Sequence, residues 1–139
     1  MRHVFADTFY WVALAHPKDQ WHERATVLSE SLGQVQIITS EEVLVEFLTQ
    51  LSGYGATLRA KAVALTRSIL ANPRVEVIAQ THETFLAGLT FYESRSDKTY
   101  SLTDCISMKT MQEKGLVEVL THDEHFTQEG LRALFRELT

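Results

Sequence analysis

The sequence predicts an α/β fold of three layers, α/β/α, with a mostly parallel central sheet. Short apolar runs alternate with helical periodicities over all 139 residues, and no repeat, linker or low-complexity tract interrupts them. In addition, several acids stand directly beside the apolar runs, where the loops of a parallel sheet converge. A chain of this length is the size of one domain, 1–139, and buries roughly two-thirds of its unfolded surface without disulfides or a structural zinc.

The first apolar run, His3 to Ala6, reads as a buried strand that ends at Asp7. The helix that follows, Thr8-Phe-Tyr-Trp-Val-Ala-Leu-Ala, is apolar nearly all round, so it is either buried on several sides or shared with a partner. Pro17 suits the first turn of a second helix that runs through Trp21, Ala25 and Leu28 to Leu32 and stops at Gly33. Val35 to Ile38 is the second strand. Thr39-Ser-Glu-Glu42 has the form of a capping box, with Glu42 paired to Thr39, and opens a helix through Leu51. On that helix Val43, Leu44, Phe47, Leu48 and Leu51 share one broad stripe, and Glu46 lies about 60° beyond Val43, at its border.

Gly53 and Gly55 break the chain before a helix from Ala56 to Leu70, which aligns Leu58, Ala62, Leu65 and Ile69 and ends at Asn72-Pro73. Val75 to Ala79 is the third strand. Thr81 to Arg95 is a helix that uses Phe85, Leu89 and Tyr92, followed by a polar loop over 96–100. A helix from Asp104 to Lys114 closes at Gly115, and Leu116 to Leu120 is the fourth strand. Leu131 to Phe135 supplies a short edge strand.

Composition bounds the function. Hydrophobic residues make up 45% and charged residues 22%, the balance of an ordinary globular protein. A net charge of −5 argues against a protein that coats nucleic acid through a broad basic face, but not against one that cuts it, because a bound cation restores positive potential locally. The single cysteine, Cys105, forms no internal disulfide and packs as a small hydrophobe, which fits a reducing cytoplasm. The N-terminal run is too short and too polar for a signal peptide or membrane span, so no membrane role is expected. No Cys/His set has zinc-site spacing, and His122 and His125 read as surface histidines. No P-loop or dinucleotide glycine pattern occurs. An aspartyl-phosphatase would want a second acid two residues after Asp7, where Phe9 stands.

Asp7 and Asp123 follow predicted strands and Asp104 opens a helix, which sets three acids on one rim of the sheet. Each has a plainer reading. Asp7 caps the helix at Thr8, Asp104 completes a Ser101-x-x-Asp box, and Asp123 sits in the box Thr121-x-x-Glu124. Caps alone, however, do not require all of them to meet at one rim. Together with Glu46, four convergent carboxylates imply a divalent cation.

Phe5-Ala-Asp7-Thr-Phe, Thr39-Ser-Glu-Glu-Val-Leu-Val-Glu46-Phe-Leu, Tyr100-Ser-Leu-Thr-Asp104-Cys-Ile-Ser and Leu120-Thr-His-Asp123-Glu-His-Phe126 resemble, in order, the four acidic motifs of PIN-domain ribonucleases. They are especially similar to the toxin halves of bacterial VapBC-type toxin–antitoxin pairs. The resemblance implies a metal-dependent endoribonuclease in which Asp7, Glu46, Asp104 and Asp123 hold Mg²⁺ or Mn²⁺, with products carrying a 5′-phosphate and a 3′-hydroxyl. Without metal, the crowded carboxylates should leave at least one pKa raised. Asp97 and Thr121 are implied as supporting residues, Thr121 by orienting Asp123 or a water through its hydroxyl. Arg95 and Lys98, in the loop before Asp104, are the sequence-adjacent candidates for RNA phosphates.

The implied partners are an RNA substrate, a cognate antitoxin and a second copy of the chain in a homodimer. Tyr10, Trp11, Trp21 and Phe91 either supply an apolar docking surface for a second copy or an antitoxin helix, or pack in the core. Two alternatives stay open: a catalytically silent PIN-like domain that works by binding, and a solitary PIN nuclease without an antitoxin.

Overall fold

Val4, Phe5 and Ala6 have no exposed surface, because the strand they form, β1 (Arg2–Ala6), runs through the middle of the sheet with helices on both faces. The computed structural model describes residues 1–138; residue 139, the last of the expected domain, lies outside them. After β1 come α1 (Thr8–Ala15), α2 (His22–Ser31), β2 (Val35–Ser40), α3 (Glu41–Leu51), α4 (Ala56–Ala71), β3 (Val75–Ile78) and α5 (His82–Ser94). They are followed by α6 (Leu102–Lys114), β4 (Glu118–Leu120), α7 (Glu124–Gln128) and β5 (Arg132–Ala133), with single 3-10 turns at Ser52–Tyr54 and Leu134–Glu137.

The strand order is β3-β2-β1-β4-β5 and every neighbouring pair is parallel, as the alternation of elements predicts. The chain steps outward from β1 to β2 to β3, then crosses back to add β4 on the other side of β1 and β5 beyond it. The switch in direction falls between β1 and β4, so the loops after these two strands diverge and leave a crevice at their carboxyl ends.

The apolar α1 is buried on several sides. Its Tyr10 and Trp11 are each only 3% exposed, so neither supplies the expected docking surface. Phe91, at 7%, is also in the core. The stripe on α3 packs inward as its periodicity predicts, with Val43, Leu44, Phe47 and Leu51 buried.

Three local expectations are corrected. Pro17 does not open α2: the chain turns through 17–21, where the Asp19 carboxylate accepts the Trp21 N–H at 2.8 Å, and the helix begins at His22. Thr39 is not the cap of α3, because β2 extends two residues beyond Ile38 and carries Thr39 inside, where its hydroxyl donates to the Ala6 carbonyl at 2.9 Å. Ser40 takes the cap and accepts the Val43 N–H, while Glu42 accepts a hydrogen bond from the Thr84 hydroxyl instead.

The third correction concerns α5, whose buried face is not Phe85, Leu89 and Tyr92. Those three are 44%, 44% and 50% exposed, and the helix turns Gly88 and Phe91 inward. The cause is close packing on α6. A β-carbon at position 88 would lie 2.2 Å from the Ile106 side chain, so a glycine is what lets the two helices approach.

Candidate active site

The crevice between β1 and β4 is a cleft of about 310 Å³ lined by Asp7, Thr8, Phe9, Glu46, Gln50, Asp104, Thr121, His122 and Asp123. All four acids singled out in the sequence border it, and no lysine or arginine does. Each arrives by a different route. Because Ala6 of β1 is in register with Leu120 of β4, the next residues on the two strands, Asp7 and Thr121, come off the sheet side by side. The Thr121 hydroxyl donates to Asp7 Oδ2 at 2.9 Å. Thr121 Oγ1 also accepts the Asp123 N–H at 3.1 Å, so one buried threonine ties two acids from distant parts of the chain.

Asp104 stands in the first turn of α6, inside a reciprocal box in which Ser101 Oγ accepts its N–H and its carboxylate accepts the Ser101 N–H. The capping reading and the site reading therefore hold together for this residue. Asp123 caps α7 and accepts the His125 N–H at 2.9 Å. Glu46 reaches the cleft from the border of the α3 stripe, where its wheel position puts it. The two earlier acids of α3 are engaged elsewhere, Glu41 accepting the Gln80 N–H and Glu42 the Thr84 hydroxyl.

The electrostatics follow from this crowding. Burial in first place, then the charges of Asp104 and Glu46, push the Asp7 carboxyl from 3.8 up to about 7, against the opposing pull of the Thr121 hydroxyl and the Thr8 N–H. A buried acid that holds its proton to neutrality, in a cleft of acids with no lysine or arginine, is one that a cation could relieve of its crowded charge. Oxygen donors from carboxylates suit a hard divalent ion such as Mg²⁺ or Mn²⁺. Asp104, Asp123 and His125 each bring one donor atom within 4.8 Å of the others.

The PIN-domain family profile matches residues 4–129. This chain is a PIN domain. In the fold as a whole it is similar to the crystal structure of VapC20 from Mycobacterium tuberculosis, a sarcin–ricin loop cleaving toxin, with a TM-score of 0.82 and 27% identity over 92% of this chain and 95% of that one. The fold alone is shared with DNA-bound VapBC from Salmonella typhimurium, at a TM-score of 0.64 and 16% identity over 96% of this chain and 97% of that one. The same holds for FitAcB from Neisseria gonorrhoeae, at 0.62 and 15% over 94% and 95%. No curated protein sequence matches the chain.

Of the other residues expected of the PIN domain, Asp97, Arg95 and Lys98 lie outside the cleft and Thr121 lines it. Asp97 is exposed and pairs only loosely with Lys98, at 3.9 Å. Arg95 is held by both oxygens of Glu129 at 3.0 Å each and lies 4.4 Å over the Phe91 ring, so its fork is already occupied. The Thr121 hydroxyl donates to Asp7 and accepts the Asp123 N–H, so it reaches Asp123 through the backbone.

Two histidines read from sequence as surface groups belong to the site. His125 Nδ1 lies 3.1 Å from Asp104 Oδ2 and 3.4 Å from Asp123 Oδ1, and its Nε2 meets the Thr99 hydroxyl at 3.1 Å. His122 lines the cleft directly. The signal for His125 was its place two residues after Asp123, within the same cap. Cys105 is fully buried, and burial together with the neighbouring Asp104 pushes its thiol up to about 11, so it packs as a hydrophobe. Among the described residues no helix is long and apolar enough to cross a membrane.

Proposed function

We propose that this PIN domain is a divalent-metal-dependent endoribonuclease that hydrolyses RNA phosphodiester bonds, and that it is the toxin of a toxin–antitoxin pair. The observation that carries the reading is the meeting of Asp7, Glu46, Asp104 and Asp123 around one cleft without a lysine or arginine among its walls. These four hold Mg²⁺ or Mn²⁺. The bound ion supplies Lewis-acid polarisation of the scissile phosphate, a lowered pKa for the attacking water and charge neutralisation at the leaving oxygen.

The chain's own residues orient and tune. Thr121 fixes the rotamer of Asp7 and the backbone of Asp123 through one hydroxyl. The Ser101 box holds Asp104 at the mouth of α6, and His125 bridges Asp104 to Asp123. Asp7 gives up its proton when the cation binds, so loading the site releases protons near neutral pH.

VapC20, with which this chain shares 27% of its residues, is a sarcin–ricin loop cleaving toxin, which makes an RNA carrying that loop the first substrate to test. The antitoxin and a second copy of the chain are the proposed protein partners. The exposed Phe85, Leu86, Leu89 and Tyr92 on α5 offer apolar surface for such contacts, in place of the aromatics that turned out to be core.

The deciding experiment incubates purified protein with end-labelled RNA in Mg²⁺, Mn²⁺ and EDTA, beside Asp7→Asn and Asp104→Asn. Cleavage that needs metal, leaves 5′-phosphate ends and disappears in both variants is expected. Equal cleavage by wild type and both variants would defeat the assignment. No cleavage by any of them, with an antitoxin still bound, would favour a silent binding domain.

A further inference from the structure

Beside the acids the cleft wall turns aromatic. Phe9 and His122, both lining residues, lie ring to ring at 6.2 Å with an interplanar angle of 28°. The Trp21 ring sits 4.5 Å from His122 and 5.7 Å from Phe9. Phe135, 1% exposed, is the floor beneath them, edge-on to Phe9 at 4.9 Å and to Trp21 at 6.0 Å. Packing alone would bury the upper rings as it buries Tyr10 and Trp11. Instead Phe9, Trp21 and His122 remain partly open.

The arginines divide into paired and unpaired ones, and among the described residues Arg59, Arg67 and Arg74 form no salt bridge. Arg2, Arg95 and Arg132 are each neutralised by a carboxylate. Arg24 lies instead with its guanidinium 3.8 Å over the Trp21 ring, and Arg136 donates to the His122 carbonyl at 2.9 Å. Among the described residues neither forms a salt bridge. A base that replaces the Arg24 guanidinium over the Trp21 ring gains a π-face beside the acid-lined cleft and frees Arg24 for a phosphate, an exchange that suits single-stranded nucleic acid.

We propose that Phe9, Trp21 and His122 form a stacking subsite for one unpaired base of a single-stranded RNA, with Arg24 and Arg136 meeting the phosphates next to it. The subsite names the structural class of substrate: an RNA whose bases are splayed out near the cut, not a continuous duplex. It rests on the nuclease reading for the passage of the strand into the acidic cleft, but the stack itself is testable without any cleavage.

The chain has two tryptophans, and Trp11 is buried at 3% exposure, so quenching by a stacked base reports on Trp21. In the Asp7→Asn background with Mn²⁺, titration with an octamer of adenylate is expected to quench tryptophan emission, and an octamer of abasic ribose phosphates to leave it unchanged. By anisotropy of the end-labelled adenylate octamer, Trp21→Leu is expected to weaken binding roughly tenfold and Trp21→Phe, which keeps a π-face, about threefold or less. The far-ultraviolet circular dichroism spectra of the three proteins should coincide, which shows that the variants fold.

Equal quenching by the abasic chain, or octamer binding by Trp21→Leu as tight as by its parent, would overturn the proposal and leave the aromatic wall to a protein contact. Quenching by adenylate in a protein that cuts no RNA keeps the subsite while the nuclease reading fails. Cleavage with no quenching removes the subsite and leaves the nuclease.

Discussion

Asp7 couples stability to pH with a sign opposite to that of an ordinary surface acid. Its carboxyl titrates near 7 in the folded, metal-free protein and near 3.8 when exposed, so between those values the folded state holds a proton that the unfolded chain has lost. Metal-free stability is therefore highest, as far as this group is concerned, below about pH 4 and falls as pH rises to 7, by a total of order a few kcal/mol. Asp7→Asn removes the titration. In EDTA at pH 8 this variant is expected to withstand more urea than wild type, with the gap closing near pH 4, and a wild type that gains stability between pH 4 and 7 through this residue would contradict the assignment. At Thr121 the hydroxyl orders two acids at once, so Thr121→Val is expected to weaken Mn²⁺ binding by about 10- to 100-fold in a calorimetric titration. Unchanged affinity would mean that Asp7 and Asp123 are held by other groups.

At the scale of the element, α5 and α6 depend on the missing side chain of Gly88. In an open helix, Gly→Ala stabilises by about 1 kcal/mol. Here the added β-carbon meets Ile106, so Gly88→Ala is expected to lower stability by about 1–3 kcal/mol in urea denaturation, and a stabilised variant would show that the helices have room to spare. This packing also explains what the sequence concealed. α1, α3 and the parallel strands were legible because their apolar residues carry the period of the element. The buried face of α5 was not, because glycine leaves no mark in a hydrophobic pattern while Phe85, Leu89 and Tyr92 mark the wrong side. The cap of α3 shifted from Thr39 to Ser40 because only the pairing of β2 with β3, which runs to Ser40↔Ile78, decides where the strand stops. Asp7, Asp104 and Asp123 could be read because each stands at an element end. His125 left only its place two residues after Asp123 as a signal, since α7 is five residues long and its partner Asp104 lies 21 positions away.

Over the whole molecule, a cation that binds the folded cleft and not the unfolded chain shifts the folding equilibrium by mass action. Saturating Mn²⁺ is expected to raise the melting temperature of wild type at pH 7.5 and to leave that of Asp104→Asn nearly unchanged in calorimetry. Because Asp7 must lose its proton, apparent Mn²⁺ affinity should weaken as pH falls through about 7, and an affinity flat from pH 8 to 5.5 would place Asp7 outside the coordination set. The central position of β1 has one more consequence. Asp7 meets Thr121 across 114 positions, and β1 gains its neighbour β4 only from residues 118–120. The pocket wall at Asp7 and Thr121 therefore exists only once two far-separated segments have zipped into one sheet, and neither segment holds it alone.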